Sequence, residues 1–194
     1  MQKICGQAKV QYRSGGEYEG EWGLGEYHGK GKLTAPDGGI YEGEWFEGKR
    51  NGKGKQEWPN GGGTYEGQWE EDKRQGTGKH TNAVGEVYEG AWVDNHRVGV
   101  GTCSYPSGAK YEGQWEKDKK HGKGTMRWAD GDSYEGQFSD DRMHGTGKFT
   151  TKHGCVYSGL YRKGKFVKRV LTTSMMLGSK AKTAGRAPYG PMRD

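Results

Sequence analysis

The sequence predicts an all-β protein: an elongated, single-layer antiparallel sheet of successive β-hairpins, followed by a short C-terminal helix and a basic tail. Three observations carry this. A phrase of the form Tyr-x-Gly-x-aromatic recurs at Tyr18, Tyr41, Tyr65, Tyr88, Tyr111, Tyr134 and Tyr157, with spacings of 23 residues and a single 24. A fixed period of this size marks a stack of similar units, each contacting its neighbours, and not a globule around one pocket. Within each unit the side chains alternate with period two, the signature of strands. Hydrophobic residues make up only 29% of the chain, too few for a thick core, while aromatics reach 12% and fall at periodic places.

The units are legible one segment at a time. Residues 6–15 read as a half-unit with Val10 and Tyr12, Ala8 standing where later units carry glycine. In the first strand of a unit, Tyr, Gly two positions on and Trp four positions on share a face, as in Tyr18, Gly20 and Trp22. Glu19, Glu42, Glu66, Glu89, Glu112 and Glu135 point to the opposite face. Seven positions after the tyrosine come Gly25, Gly48, Asp72, Asn95, Asp118, Asp141 and Gly164, residues that tolerate the positive φ of a tight hairpin turn. The second strand opens with Gly-x-Gly, from Gly29/Gly31 to Gly145/Gly147, and a later glycine turns the chain into the next tyrosine. Glycine weakens a strand because nothing covers the backbone, but here the glycines share a face with the rings. Burying an aromatic contributes about 2–3 kcal/mol, against roughly 0.5–1 kcal/mol lost per glycine, so the pairing stabilises. The extra residue of the longer spacing falls in Gly62-Gly63-Thr64 and reads as a bulge or longer turn.

Beyond Tyr161 the pattern changes. The array is assigned to residues 1–164. Phe166, Val167, Val170, Leu171, Met175 and Leu177 predict a short amphipathic helix over 165–178 that caps the last hairpin, ended by Gly178. Residues 179–194 read as a flexible basic tail. Residues 162–194 hold nine basic side chains against the single acid Asp194, whereas residues 1–161 are balanced at −2. The basic excess therefore belongs to the C-terminal segment and gives the array no affinity for nucleic acid.

Several function classes are excluded. No stretch of about 18 apolar residues is present to span a bilayer, and Met1 to Gly6 has no signal-peptide core, so a cytoplasmic chain is expected. Cys5, Cys103 and Cys155 are widely spaced, and no metal or cofactor site is predicted. The run from Gly48 to Gly54 lacks the spacing of a phosphate-binding loop. His28, His121 and His144 occupy one repeated position, which is a structural placement, and no nucleophile is framed by a base. The chain reads as a non-enzyme.

The run Tyr111-Glu-Gly-Gln-Trp115, then Lys119-Lys-His-Gly-Lys-Gly-Thr125, then Asp130-Gly131 resembles a MORN repeat. The resemblance covers about residues 6–164, as six full repeats with a partial one at each end. Gln75 and Val98 depart from the His or Asn before Gly-x-Gly, and the unit at Tyr157 lacks that pair. The resemblance implies an elongated twisted sheet and scaffold work in cytoskeletal assemblies, a ciliary or flagellar axoneme foremost. It also implies protein partners met in the groove of the sheet, pairing with a second copy or another MORN protein, and in one family proposal binding to phosphoinositide membranes.

Two surfaces are candidates for that work. A single layer leaves its apolar face to meet something, so Trp45, Trp58, Trp69, Trp92, Tyr105, Trp115 and Trp128 are the expected partner-binding residues. On the other face the glutamates form an acidic row, with a basic row by the turns at Lys49/Arg50, Lys73/Arg74, Arg97, Lys119/Lys120 and Arg142. Lys163, Lys165, Lys168, Arg169, Lys180, Lys182 and Arg186 form an expected anchor for acidic protein or, alternatively, an anionic membrane surface.

Overall fold

The structure, a computed structural model, describes residues 5–170. The chain divides after Pro106 into two compact units. The first holds β1 (Gly6–Gln11), β2 (Glu17–Gly23), β3 (Glu26–Thr34), β4 (Ile40–Phe46), β5 (Lys49–Glu57), β6 (Gly63–Glu70), β7 (Lys73–Asn82), β8 (Val87–Val93) and β9 (His96–Ser104). The second holds β10 (Lys110–Glu116), β11 (Lys119–Arg127), β12 (Ser133–Ser139), β13 (Arg142–Thr150), β14 (Val156–Arg162) and β15 (Lys165–Arg169). Within each unit every strand pairs antiparallel with the next in sequence, so each is an open sheet of consecutive hairpins, as the period predicts. The partial first unit forms β1, with Ala8 opposite Gly20.

The hairpin turns are tighter than the glycines alone indicate. Both central residues have positive φ: Glu47 and Gly48, Glu71 and Asp72, Asp94 and Asn95, Asp140 and Asp141. This is the primed two-residue turn whose twist matches that of the strands, and it holds the ladder together up to the turn, as at Phe46 opposite Lys49. A bulge follows in each hairpin. In β2–β3, Gly20 faces Gly31 while Glu21 already faces His28. Gly29, in the bulge, has φ +55°, and the Glu21 carboxylate fills the space a β-carbon would need. The glutamate then accepts the Lys30 backbone N–H at 2.9 Å.

Beyond the bulge, glycine meets glycine across the hairpin and a tyrosine ring covers both. A β-carbon on Gly54 would overlap the hydroxyl and ring of Tyr41. The Tyr41 hydroxyl donates to the Glu44 carbonyl at 3.1 Å, and the Trp45 indole donates to the Gly31 carbonyl of the preceding hairpin at 3.1 Å. Tyr18, Tyr41 and Tyr65 each meet their own tryptophan and that of the following hairpin edge-on: Tyr65 lies 5.0 Å from Trp69 and 5.4 Å from Trp92. Such pairs add about 0.5–1.5 kcal/mol each beyond burial. The core of each unit is this row of rings, with Tyr18, Tyr65, Tyr111 and Tyr134 fully buried.

The inter-hairpin turns are alike apart from the long spacing. The Ala35 N–H donates to the Gly39 carbonyl, whereas the Trp58 N–H reaches one residue further, to Gly63. The extra residue is absorbed in a single 3-10 turn at Pro59–Gly61 and the step into Gly63, a local insertion that leaves the register of β5 and β6 intact.

The expected helix from residue 165 is corrected over its described part. Lys165–Arg169 is strand β15, paired with β14. Phe166, read as part of a helical stripe, lies instead 5.3 Å from the Tyr161 ring and continues the aromatic face. The backbone of β14 is left with an open edge after six consecutive hairpins, and pairing satisfies it directly. Residues 171–178 of the expected helix, and the tail after them, lie outside the described residues.

Two outcomes follow. Gly54→Ala should cost more than about 2 kcal/mol by forcing Tyr41 out of place, whereas Tyr41→Phe, losing one hydrogen bond, should cost about 1 kcal/mol. Urea unfolding followed by tryptophan fluorescence distinguishes them; equal costs would refute the ring-on-glycine account. Burial also pushes the phenols of Tyr18 and Tyr65 up from 10.0 to about 12, and raises Tyr41, Tyr111 and Tyr134 likewise. The folded chain thus holds these protons more tightly than the unfolded one, so stability is full below about pH 10 and falls as pH rises toward 12. Unfolding midpoints measured across pH 8 to 12 should be flat at first and then drop.

Candidate binding surfaces

The seven predicted partner-binding rings fall into two groups. Trp45, Trp69, Trp92 and Trp115 are buried in the ring rows, and the indole N–H groups of Trp69 and Trp92 are bound to the carbonyls of Gly54 and Gly78. Their role in the chain is to tie hairpins together. Trp58, Tyr105 and Trp128 are half-buried just after the second strands of their hairpins. Trp58 meets His80 edge-on at 5.6 Å, and Trp128 lies 5.6 Å from Phe149. Parts of these three rings reach solvent.

The basic row by the turns is split by the structure. Arg50 and Arg74 belong to the aromatic face: their guanidinium carbons lie 4.2 Å and 4.3 Å from the ring centres of Trp69 and Trp92. Arg50 also donates through Nε to Asp72 Oδ1 at 2.9 Å, while the same carboxylate accepts the Arg50 backbone N–H. Lys49, Lys73 and Lys119 instead face the next turn and pair with Glu71, Asp94 and Asp140 at 3.7, 2.8 and 2.9 Å. These exposed pairs add little to stability.

The glutamate row is not a plain acidic stripe. In the first unit the ladder places Lys9 opposite Glu19, Glu19 opposite Lys32, Lys32 opposite Glu42, Glu42 opposite Lys55, Lys55 opposite Glu66, Glu66 opposite Lys79 and Lys79 opposite Glu89. Charge therefore alternates strand by strand over an open groove floored by Gly54, Gly67, Gly78 and Gly90. In the second unit the row is Glu112, Thr125, Glu135 and Lys148, beside a similar glycine-floored groove. The spread is linear, with no two carboxylates converging as a catalytic pair would.

A polar cluster interrupts the aromatic face. Glu86 Oε1 accepts from Arg97 Nη1 at 2.8 Å and from the buried Cys103 thiol at 3.1 Å. Burial first, and Glu86 second, push that thiol up from 9.0 to about 12, so it is a proton-bearing core group and not a nucleophile. Cys5 and Cys155 are exposed. Among the described residues no group of three His, Cys, Asp or Glu side chains is placed to hold a metal, and no helix is long and apolar enough to cross a membrane.

At the C-terminal end, Lys163 occupies the β14–β15 turn and Lys165, Lys168 and Arg169 are exposed along β15. Among the described residues no carboxylate reaches Arg162, Lys163, Lys165 or Lys168, unlike the paired lysines of earlier turns. Lys180, Lys182 and Arg186 lie outside the described residues.

The MORN-repeat family model matches residues 18–40, 41–63, 65–87, 88–110, 111–133 and 134–156, well over half of the chain. The chain belongs to the MORN-repeat family. No curated protein matches it. Among solved structures it is similar to the SAS-4 (dCPAP) TCP domain of Drosophila melanogaster in complex with a proline-rich motif of Ana2 (dSTIL), at 10% identity and a TM-score of 0.48, over 79% of this chain and 83% of that one. It is also similar to the TCP10 domain of Danio rerio CPAP, at 10% identity and a TM-score of 0.32, over 79% and 83% of the two chains. The G-box domain of the microcephaly protein CPAP gives 10% identity and a TM-score of 0.32, over 80% and 93%. Scores this low carry no argument about what the MORN array binds.

One departure from the MORN pattern went unread in the sequence. Three positions after the tyrosine the repeats carry Glu21, Glu44, Gln68, Gln114 and Gln137, but the fourth carries Ala91. The same repeat has Val98 where others have His, Asn or Gln, and Val100 where others have Lys or Thr. Aligning that third position across the repeats is the signal that finds it.

Proposed function

We propose that this MORN-repeat chain is a non-enzymatic scaffold that docks other proteins along its charge-alternating, glycine-floored groove. The observation that carries the reading is the unbroken alternation of Lys and Glu from Lys9 to Glu89. Such a surface is neutral overall yet patterned, which favours a partner in one register over non-specific polyanions. Outside that groove, the half-buried Trp58, Tyr105 and Trp128 are the rings available to a partner, whereas Trp45, Trp69, Trp92 and Trp115 are buried.

Membership of the family supports placing this scaffold in a cytoskeletal assembly, and we extend the reading to a ciliary or flagellar axoneme, with a second copy or another MORN protein among the partners. Extraction of ciliated cells expressing the tagged protein with non-ionic detergent, followed by pelleting, tests it. Retention in the insoluble axonemal fraction is the expected result, and deletion of residues 178–194 should lower that retention. Complete release with the membrane fraction would refute the scaffold reading.

A second reading has its own observation, Arg162, Lys163, Lys165 and Lys168 of the β14–β15 hairpin, which no carboxylate reaches among the described residues. These favour an anionic membrane surface, each basic side chain near it contributing about 1 kcal/mol. Flotation with acidic liposomes at low and high salt should show salt-sensitive binding that is lost on combined Lys163→Glu, Lys165→Glu and Lys168→Glu substitution. Absence of flotation at low salt removes this reading.

A further inference from the structure

The groove of the first unit changes character in the fourth MORN repeat. In four hairpins the side chain three positions after the tyrosine reaches back over the bulge glycine and accepts a backbone N–H. Glu21 accepts from Lys30 at 2.9 Å, Gln68 from Thr77 at 2.8 Å, Gln114 from Lys123 at 2.7 Å and Gln137 from Thr146 at 3.0 Å. In a fifth, the Glu44 carboxylate occupies the same place over Gly52. In the fourth repeat the bulge persists, with Gly99 at φ +60°, but the nearest atom over it is the Ala91 methyl at 3.7 Å. Among the described residues no side-chain oxygen reaches the Val100 N–H. The bulge geometry is kept and its filling is missing.

Around this bulge, Val98 and Val100 are aliphatic at two positions where every other full repeat carries His, Asn, Gln, Lys or Thr. Val98 lies opposite Ala91 in the ladder, and Val100 is 69% and Val93 46% exposed. A backbone donor beside aliphatic side chains is complementary to a side chain with a terminal oxygen and an apolar neighbour. The chain's own repeats indicate which one. Both repeats whose residue after the bulge glycine is uncharged, Thr77 and Thr146, use glutamine as the acceptor, and beside the lysines Lys30, Lys53 and Lys123 stand Glu21, Glu44 and Gln114, so a carboxylate occurs only next to a cation. Val100 supplies no cation and Glu89 stands close by on β8, so a carboxylate is disfavoured there and a neutral carboxamide fits.

We propose that the fourth repeat is a recognition slot for a glutamine side chain of a protein partner, with an aliphatic residue beside it packing on Val98 and Val100. This rests on the docking reading above and names what the groove selects. The glutamine oxygen accepts the Val100 N–H in the place that Gln68, Gln114 and Gln137 fill from within the chain, and its methylenes cover Gly99 and Ala91. The partner thereby completes a pattern that the array finishes for itself elsewhere.

The test uses the full chain. Ala91→Gln supplies the missing side chain internally, and its fold is secured by the identical arrangement in three other repeats. A random-peptide phage library selected on the wild-type protein should enrich glutamine next to an aliphatic residue. The synthesised peptides should bind Ala91→Gln at least about tenfold more weakly, the equivalent of about 1.4 kcal/mol. Val100→Lys, which removes the aliphatic contact and leaves the slot open, gives a second variant that should also weaken them. In amide correlation spectra of the wild-type protein the peptides should shift the Val100 resonance. Peptides that lack glutamine, or that bind wild type and Ala91→Gln equally, overturn the slot, as does a selection that enriches nothing. Retention of the tagged Ala91→Gln protein in the detergent-insoluble fraction is read separately, so a failed slot leaves the scaffold reading to stand or fall on its own measurement.

Discussion

A phenol ring lying on bare backbone is the contact from which the rest of this structure follows. Two glycines face one another across each of the six full-repeat hairpins, close enough that a β-carbon on either would meet the tyrosine or the opposite strand. The ring replaces the side chains those positions lack, its hydroxyl closes on a carbonyl three residues on, and its edges receive two tryptophans. A chain with 29% hydrophobic residues can fold this way because each ring serves two hairpins. No thick core is then needed, and most of the opposite face is left to polar side chains and solvent.

That division of labour separates the large aromatics from the open groove on the opposite face. Trp45, Trp69, Trp92 and Trp115 are buried, and the indoles of Trp45, Trp69 and Trp92 tie their hairpins to the preceding ones. The groove on the opposite side is built of glycine, lysine, glutamate and threonine, residue types that usually pass as solvated surface. Its pattern is a by-product of the same register that stacks the rings. The bulge moves the partner of Glu19 two residues along β3, to Lys32, while it brings Gly31 opposite Gly20. One irregularity therefore sets both the packing on one face and the charge alternation on the other.

The fourth repeat shows how little is required to make one unit of an array different. Exchanging a carboxamide for a methyl at Ala91 leaves the hairpin intact, because the glycine bulge does not depend on its filling. On the ring face, Arg97 and Cys103 of this repeat both meet Glu86, at the end of the third repeat.

The sequence by itself determined the period, the alternation, the faces of Tyr, Gly and Trp, and the positive-φ turn positions from Gly25 to Gly164. All are local properties of a strand or turn, repeated often enough to be unambiguous. It also located the extra residue before Tyr65, because the flanking glycine spacing is unchanged. Three things were decided only by tertiary structure. Which lysine meets which glutamate depends on a bulge that shifts the register between strands. Whether Arg50 and Arg74 belong to the surface or to the rings depends on a turn tight enough to keep strand alternation up to its last residue. Whether Phe166 starts a helix or a strand depends on the unpaired edge that β14 presents, since an apolar pattern this short suits both, and the waiting backbone donors and acceptors select the strand.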